Sequence, residues 1–440
     1  MKRVVILSAL LLFTLACGSS GSDSPATVPG PEGGTCTMTG TGSLAITVAG
    51  LPAGIAADLV VTDAANAAHP VTASTTLTLP SGTFTSVAGT VSDHDPIVRK
   101  AFLSNSTPAA GTICDGQTVT MDLKYTLIPT SNQIWWGNAN GASNTLSYAS
   151  AALAATGGPN PTVEDQTGGT LPGAFLPNGD LWVVNTLTDK IGLERYASTL
   201  LPVSGQQTPV AVVTSSALTG GVPGPVSLAL DKDGNAWVGV AYSSSVVKFD
   251  AGQILASGDV TPGVVISNVP APNALALDGK GNLWIGSQDN VLEYLVDRLS
   301  ASTSAAPDVS IDAQTPGPVI GSLTSVLGLA FTANRDLWVN FGGTIALIPD
   351  IQLNTGTITP AIQIQADVLA LPDGIALDES GGLWMAYSQG KLSKFGASQL
   401  TTSSASLAPE VVISSDHIGS ATQPALFPAP AGLPLYSSLK

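Results

Sequence analysis

Side chains able to hydrogen-bond a neutral polar molecule recur throughout the second half of this sequence, each a residue or two beyond a short apolar run. They include Asn138, Asn140, Asn185, Tyr242, Gln288, Asp289, Asn340, Tyr387 and Gln389. Amides and phenols of this kind bind carbohydrates, peptides or other polar ligands without catalysis. Groups for proton transfer at neutral pH are scarce beside them. The three histidines are His69, His94 and His417, and none forms a Ser-His-Asp arrangement with its surroundings, so acid–base and nucleophilic catalysis have few candidates. Asp93-His94-Asp95 has metal-ligand residue types, but beside Pro96 it reads as a polar loop. Asp231-Lys232-Asp233-Gly234-Asn235 looks like the start of a calcium loop. The twelve-residue frame ending in Glu is missing, and an aspartate bonding its own turn explains the run.

The elements that must position these groups are marked by tryptophan. Trp135, Trp182, Trp237, Trp284, Trp338 and Trp384 recur at intervals of 47, 55, 47, 54 and 46 residues, each inside an apolar tripeptide such as Leu181-Trp182-Val183. One unit reads Val226-Ser227-Leu228-Ala229-Leu230-Asp231, then Ala236-Trp237-Val238, then Ser245-Val246-Val247-Lys248-Phe249, then Val264-Val265-Ile266. That is four short strands. A period near 50 in an all-β context predicts blades around an axis, because one such unit cannot bury its apolar faces alone. Third strands end at Tyr148, Tyr196, Phe249, Tyr294, Ile348 and Phe395, and fourth strands begin near a proline. Tryptophans at one strand position in every unit belong to the core rather than to a ligand site. The first unit lacks an inner strand, and the segment from Pro430 to Tyr436 is expected to supply it, closing a six-bladed propeller over residues 128–440. Chain direction then places the amide- and tyrosine-bearing loops on the same face as the entrances to the inner strands.

Residues 35–127 predict a separate β-sandwich. Period-2 strands run through Ser43-Leu44-Ala45-Ile46-Thr47-Val48, Asp58 to Thr62, Thr76 to Leu79, Gly82 to Val91 and Thr118 to Tyr125, with Gly and Pro turns between them. Upstream, residues 18–34 are Gly-, Ser- and Pro-rich without aromatics and form a flexible tether. Lys2 and Arg3 precede an apolar run from Val4 to Leu15 that is too short to span a membrane, which marks an export signal. Loss of Lys2 and Arg3 leaves 13 of the 15 basic residues against 31 acidic ones, a net charge of −18. That balance argues against nucleic-acid partners and against unaided attraction to anionic lipid.

Three resemblances add to this. Phe13-Thr14-Leu15-Ala16-Cys17 resembles the lipobox of bacterial lipoproteins, with Thr14 where leucine is usual. It implies a signal peptide over 1–16, cleavage before Cys17, lipid on Cys17 at the head of a 17–34 tether, and, from Gly18, the outer membrane. The alternative is ordinary secretion. With Cys17 as anchor, Cys36 and Cys114 remain, and in an oxidising compartment they form a disulfide unless both stay as buried thiols. Gly50-Leu51-Pro52-Ala53-Gly54 and Leu79-Pro80-Ser81-Gly82-Thr83-Phe84 resemble prealbumin-like or Ig-like surface modules. Gly374-Ile375-Ala376-Leu377-Asp378 followed by Leu383-Trp384-Met385, and its equivalents, resemble NHL-type and gluconolactonase-like (SMP-30-like) propellers. The last family implies a divalent ion, calcium, at the axial end of the inner strands, with Asn273 and Asp373 as the matching ligands. The other equivalents, Pro172-Gly173-Ala174, Gly224-Pro225-Val226 and Val326-Leu327-Gly328, bring no carboxylate, and Asn273 and Asp373 lie two blades apart. The expectation is therefore a lipid-anchored cell-envelope protein whose propeller binds an unidentified polar ligand or envelope protein through residues such as Asn185, Tyr242, Asn273, Asp373 and Tyr387, without catalysis. The alternative is a metal-dependent lactonase-like hydrolase or lyase.

Overall fold

Alternation builds the N-terminal strands. In Thr41–Ala49 the buried Leu44 and Ile46 alternate with Ala45 and Thr47, and Thr118–Leu127 buries Met121, Leu123 and Tyr125 in the same rhythm. The structure, a computed structural model, describes residues 28–29, 35–93, 100–128, 131–138, 144–165, 170–186, 191–219, 221, 225–288, 290–312, 325–332, 334–342, 344–366, 372–387, 390–417 and 423–427. The expected signal peptide, Cys17, most of the tether, His94 and the segment 430–436 lie outside these residues. No helix among the described residues is long and apolar enough to cross a membrane.

Two N-terminal sheets pack face to face. One holds Ala110–Ile113, Gly82–Ala88, Leu59–Thr62 and Ala68–Val71; the other is a five-stranded sheet centred on Thr41–Ala49 and Thr118–Leu127, which pair in parallel. Leu44, Leu59, Val61, Phe84, Met121 and Leu123 from both sheets share one core. Cys36 and Cys114 are joined by a disulfide across a sequence separation of 78. A bridge closing so long a loop contributes about 2–4 kcal/mol, a useful share for a core of this size.

The C-terminal part is a propeller-like series of sheets, each built on four antiparallel strands, with a short fifth strand added in parallel at the outer edge of three of them. Among the described residues there are six, and sheets two to six begin at Thr170–Phe175, Pro225–Leu230, Ala274–Leu277, Gly328–Phe331 and Pro372–Leu377. Sheet one is different. It combines Gln133–Asn138, Asn144–Ala149 and Val163–Asp165 with the C-terminal Ala425–Phe427, where Ala425 pairs with Trp135 and Phe427 with Gln133. The strand beside Gln133–Trp135 in sheet one is thus Ala425–Phe427; the expected segment from Pro430 to Tyr436 is not among the described residues. Phe427 also seats its ring 4.8 Å from that of Phe175.

Each pair of neighbouring sheets shares one apolar core, and the series is cyclic. Trp135 packs with Phe175 and Val183 of sheet two, Trp182 with Leu228 and Val238 of sheet three, Trp237 with Leu275 and Ile285 of sheet four. Trp284, Trp338 and Trp384 continue the pattern, the last against Ile134 and Tyr148 of sheet one. All six are between 1 and 3 % exposed. Their indole N–H groups are anchored from below. Asp231, Asp278 and Asp378 each accept two main-chain N–H bonds from their own turn and the indole N–H of Trp237, Trp284 or Trp384 at 3.1, 3.4 and 3.1 Å. Burial raises the Asp378 carboxyl, but bonds from Lys394 and Ser380 outweigh it and leave it lowered.

The outer edges are covered too. In each sheet the segment joining third and fourth strands forms a parallel bridge to the outer strand of the sheet before it: Gly205 on Asp165, Gly258 on Val213, Thr303 on Ile266, Gly356 on Ile311, Ser404 on Ile364, and Gly157 of sheet one on Ile413 of sheet six. No outer strand is left as a bare edge for intermolecular pairing at these positions. The chain joining the two parts is pinned to one end of the series. Ala101 of the N-terminal sheets is buried with Trp135 and Phe175, the main-chain N–H and hydroxyl of Ser131 both bond Glu379 at 2.9 Å, and Asn132 N–H donates to Phe427 O.

Candidate binding face

The turns between second and third strands meet the segments that lead into the next inner strands, as chain direction requires. Val269 N–H donates to Ser244 O at 2.8 Å, Val326 N–H to Ser287 O at 3.2 Å, and Asn340 Nδ2 to Asp373 O at 3.3 Å. This end lies opposite the Asp231, Asp278 and Asp378 turns, and Glu379, which holds the linker, belongs to the latter end. Among the described residues, the N-terminal sheets therefore contact the end that carries Glu379.

Bulges shape the opposite end. The first strands of sheets two, three and six each slip register by one residue near their start, at Leu171/Gly173, Pro225/Ser227 and Pro372/Ile375. Such slips re-aim side chains at the rims of closed sheets. The slip in sheet six presents Asp373, which is half-buried; burial pushes its carboxyl up to about 6. Beside it, Gly374 lies so close to the main chain of Gln423 that a Cβ there meets the Cα of Gln423. That contact joins sheet six to the C-terminal strand and requires glycine.

The expected rim residues divide sharply. Tyr242 is 58 % exposed, its ring laid across Gly221 with no room for a Cβ there. Gln288 is exposed and Asn273 half-buried. Asn185 and Tyr387, however, are each 1 % exposed and do not belong to the rim. Asn185 donates to Glu194 Oε1 at 2.9 Å; the Tyr387 hydroxyl donates to Met385 Sδ at 3.0 Å and accepts from Ser393 Oγ at 2.9 Å, and burial pushes it up to about 12. In both cases a strand runs one residue further than the apolar run implies, and a third-strand side chain satisfies the polar group. Asn340 is likewise fully buried. Asn140, Asp289, Gln389 and the side chain of Asn138 lie outside the described residues.

The residues present do not fit a calcium site at Asn273 and Asp373. Asn273 immediately precedes the first strand of sheet four and Asp373 lies on the first strand of sheet six, with Gly328–Phe331 of sheet five between. Among the described residues no group of three His, Cys, Asp or Glu converges, whereas calcium takes six to eight oxygens. His69 lies 2.8 Å from Asp63 in the N-terminal sheets, and His417 lies 3.2 Å from Glu164.

Two acids escaped sequence reading. Asp165 is 1 % and Glu194 4 % exposed. Tyr196 donates to Glu194 Oε2 at 2.6 Å, and the phenol is raised by burial and by Glu194. Asp165 Oδ1 has no hydrogen-bond partner, and burial pushes this carboxyl up to about 7. Superposing the repeat would have found them, since both occupy positions that are mainly aliphatic in the other units.

Fold and face together define an all-β, propeller-like protein with a weakly charged polar face. No protein-family profile and no curated protein matches the sequence. Among solved structures, the chain is similar to a Bacteroides caccae protein of unknown function (11 % identity, TM-score 0.45, covering 68 % of this chain and 99 % of that one). It is also similar to a nidogen/laminin complex chain (11 %, 0.43, 67 % and 98 %) and to a catalytically inactive virginiamycin B lyase from Staphylococcus aureus with quinupristin (12 %, 0.33, 53 % and 69 %). Identities at this level transfer no activity and no partner.

Proposed function

We propose that this chain is a lipid-anchored cell-envelope protein, exported on signal 1–16 and tethered by 17–34. In this reading an Ig-like or prealbumin-like sandwich (35–127) carries a six-bladed, NHL-type and gluconolactonase-like propeller (128–440) that binds a polar ligand or envelope protein without turnover. The cyclic order of the six shared cores supports the blade count. The observation that carries the binding role is the make-up of the described inner-strand entrances. Gly173, Asn273, Leu327, Asp373 and Gln423 offer amides, main-chain groups and one carboxyl, whereas Ser227 is buried and donates to Pro272 O. Hydrolysis by paired carboxylates or a nucleophile with its base needs at least two reacting groups within reach of one another.

Binding is tested with the full chain on glycan and peptide arrays. Tyr242→Ala and Asp373→Ala are expected to weaken the captured ligand at least tenfold while leaving the fold intact. Lactone turnover in the presence of Ca²⁺ or Zn²⁺ that disappears in Asp373→Ala would overturn the reading in favour of a lactonase-like hydrolase or lyase. The anchor is tested separately: Cys17→Ala is expected to move the chain from the membrane to the soluble fraction of the envelope, and an unchanged membrane association refutes lipidation at Cys17.

A further inference from the structure

The register of the six sheets defines one equivalent position on every outer strand. It is occupied by Asp165, Val213, Ile266, Ile311, Ile364 and Ile413. Each of these is the residue clasped by the parallel bridge from the following sheet, and the five aliphatics are completely buried. On the sheet that faces it, the partner position holds Val247, Leu292, Ala346, Ser393 and Leu146 in five seams and Glu194 in the sixth. Val213 with Val247, Ile266 with Leu292, Ile311 with Ala346 and Ile413 with Leu146 each share a core. The seam between sheets one and two thus replaces an aliphatic pair by two carboxyl groups. This is the seam beside the joint where the two ends of the propeller-like series meet.

Neither carboxyl relieves the other. Both oxygens of Glu194 already accept, from Asn185 and Tyr196, so Glu194 brings Asp165 no donor. Asp165 Oδ1 is out of water and without a donor. Among the described residues the ionisable groups on its side of the seam are Glu194 and Tyr196, both from the third strand of sheet two. Arg195 turns to the opposite face, where it pairs with Asp180 at 3.5 Å and covers Trp182, and Glu164 turns toward His417. No described cation therefore offsets a second negative charge here, and a buried uncompensated carboxylate is strongly unfavourable.

We propose that this seam is a proton-operated latch, closed on a neutral Asp165 and loosened when Asp165 ionises opposite Glu194. A neutral Asp165 removes an uncompensated buried charge from the seam and supplies a hydroxyl donor there. The closed seam binds this proton more tightly than the open one, with the carboxyl at about 7 when closed against about 3.9 in water. Closure is therefore fully supported below about pH 4 and is lost as pH rises through 7. Within that window the opening constant rises about tenfold per pH unit.

The test is amide hydrogen exchange on the full chain from pH 5 to 8, corrected for intrinsic rates, with Val163–Asp165 and Gly192–Tyr196 as reporters. The expected result is protection that falls about tenfold per pH unit up to about pH 7 in these strands, and not in their equivalents Val309–Asp312 and Thr344–Ile348. Asp165→Asn, which keeps the shape but cannot ionise, is expected to abolish the slope, as is Asp165→Ile, which restores the aliphatic of the other seams. If Asp165→Ile fails to fold, Asp165→Asn alone decides. A pH-independent seam in the wild type, or a slope that survives in Asp165→Asn, overturns the latch.

Discussion

Trp237→Ala is expected to destabilise the C-terminal sheets by about 3–5 kcal/mol, the loss typical of a buried tryptophan truncated to a methyl group. Trp237 is 1 % exposed and fills the seam between sheets three and four against Leu275, Leu283 and Ile285. Two lesser contacts go with it. Its indole N–H bonds Asp231 at 3.1 Å, and Lys248 Nζ stands 5.7 Å from the ring centroid. Such a contact is worth about 0.5–2 kcal/mol, more as the cation is desolvated, so burial and the residual cavity dominate. All seven tryptophans lie between 135 and 384, so urea unfolding followed by tryptophan emission reports these sheets and not the N-terminal pair. Tyr242→Ala in the same sheet is the control, since its side chain is largely exposed and its removal is expected to cost no more than about 0.5 kcal/mol. Equal midpoints for the two variants would remove Trp237 from the core.

Asp278→Ala is expected to cost about 3–5 kcal/mol, an effect in the range for breaking a buried charged network. The carboxyl is completely buried. It accepts from Lys280 N–H at 2.8 Å, Asn282 N–H and Nδ2 at 3.0 Å each, Trp284 Nε1 at 3.4 Å and Arg335 Nη2 at 3.4 Å. Truncation strands several of these donors at once. Asn282 Nδ2 keeps Glu293 at 2.8 Å and Arg335 keeps Asp350 at 3.3 Å, but the turn N–H groups and the indole keep nothing, and an unmet buried donor costs about 1–3 kcal/mol. Asp231 makes the same turn bonds from a half-exposed position, where water substitutes, so Asp231→Ala is expected to cost less than half as much. Comparing the two unfolding midpoints checks the account; indistinguishable values would mean that water reaches the Asp278 turn.

The contrast between Asp231 and Asp278 shows where local sequence stops being informative. Their turns have matching sequence grammar and near-identical hydrogen bonds, yet they differ in burial because Arg335, 57 residues away in sequence, closes over one of them. Asn185 and Tyr242 make the same point on the opposite end. Each follows a second strand and each has the chemistry of a binding residue, but Glu194 reaches back to bury Asn185 while Tyr242 stays in solvent. Residue type and spacing cannot separate such cases, because the deciding partner sits on another strand.

What the amino-acid order determined by itself is what short-range periodicity encodes. The six tryptophans, the four-strand units between them, the alternating N-terminal strands and the aspartates that bond their own turns all depend on neighbours within a few residues. The tertiary structure alone decided the rest: that Ala425–Phe427 completes sheet one, that Asn185, Asn340 and Tyr387 are inside, that Asp373 is lifted by a bulge at the axial end, and that Asp165 and Glu194 are both buried. Each of these outcomes is a pairing between segments far apart in the chain. Their energies depend on burial and on which donors face which acceptors, quantities that exist only once the sheets have closed on one another.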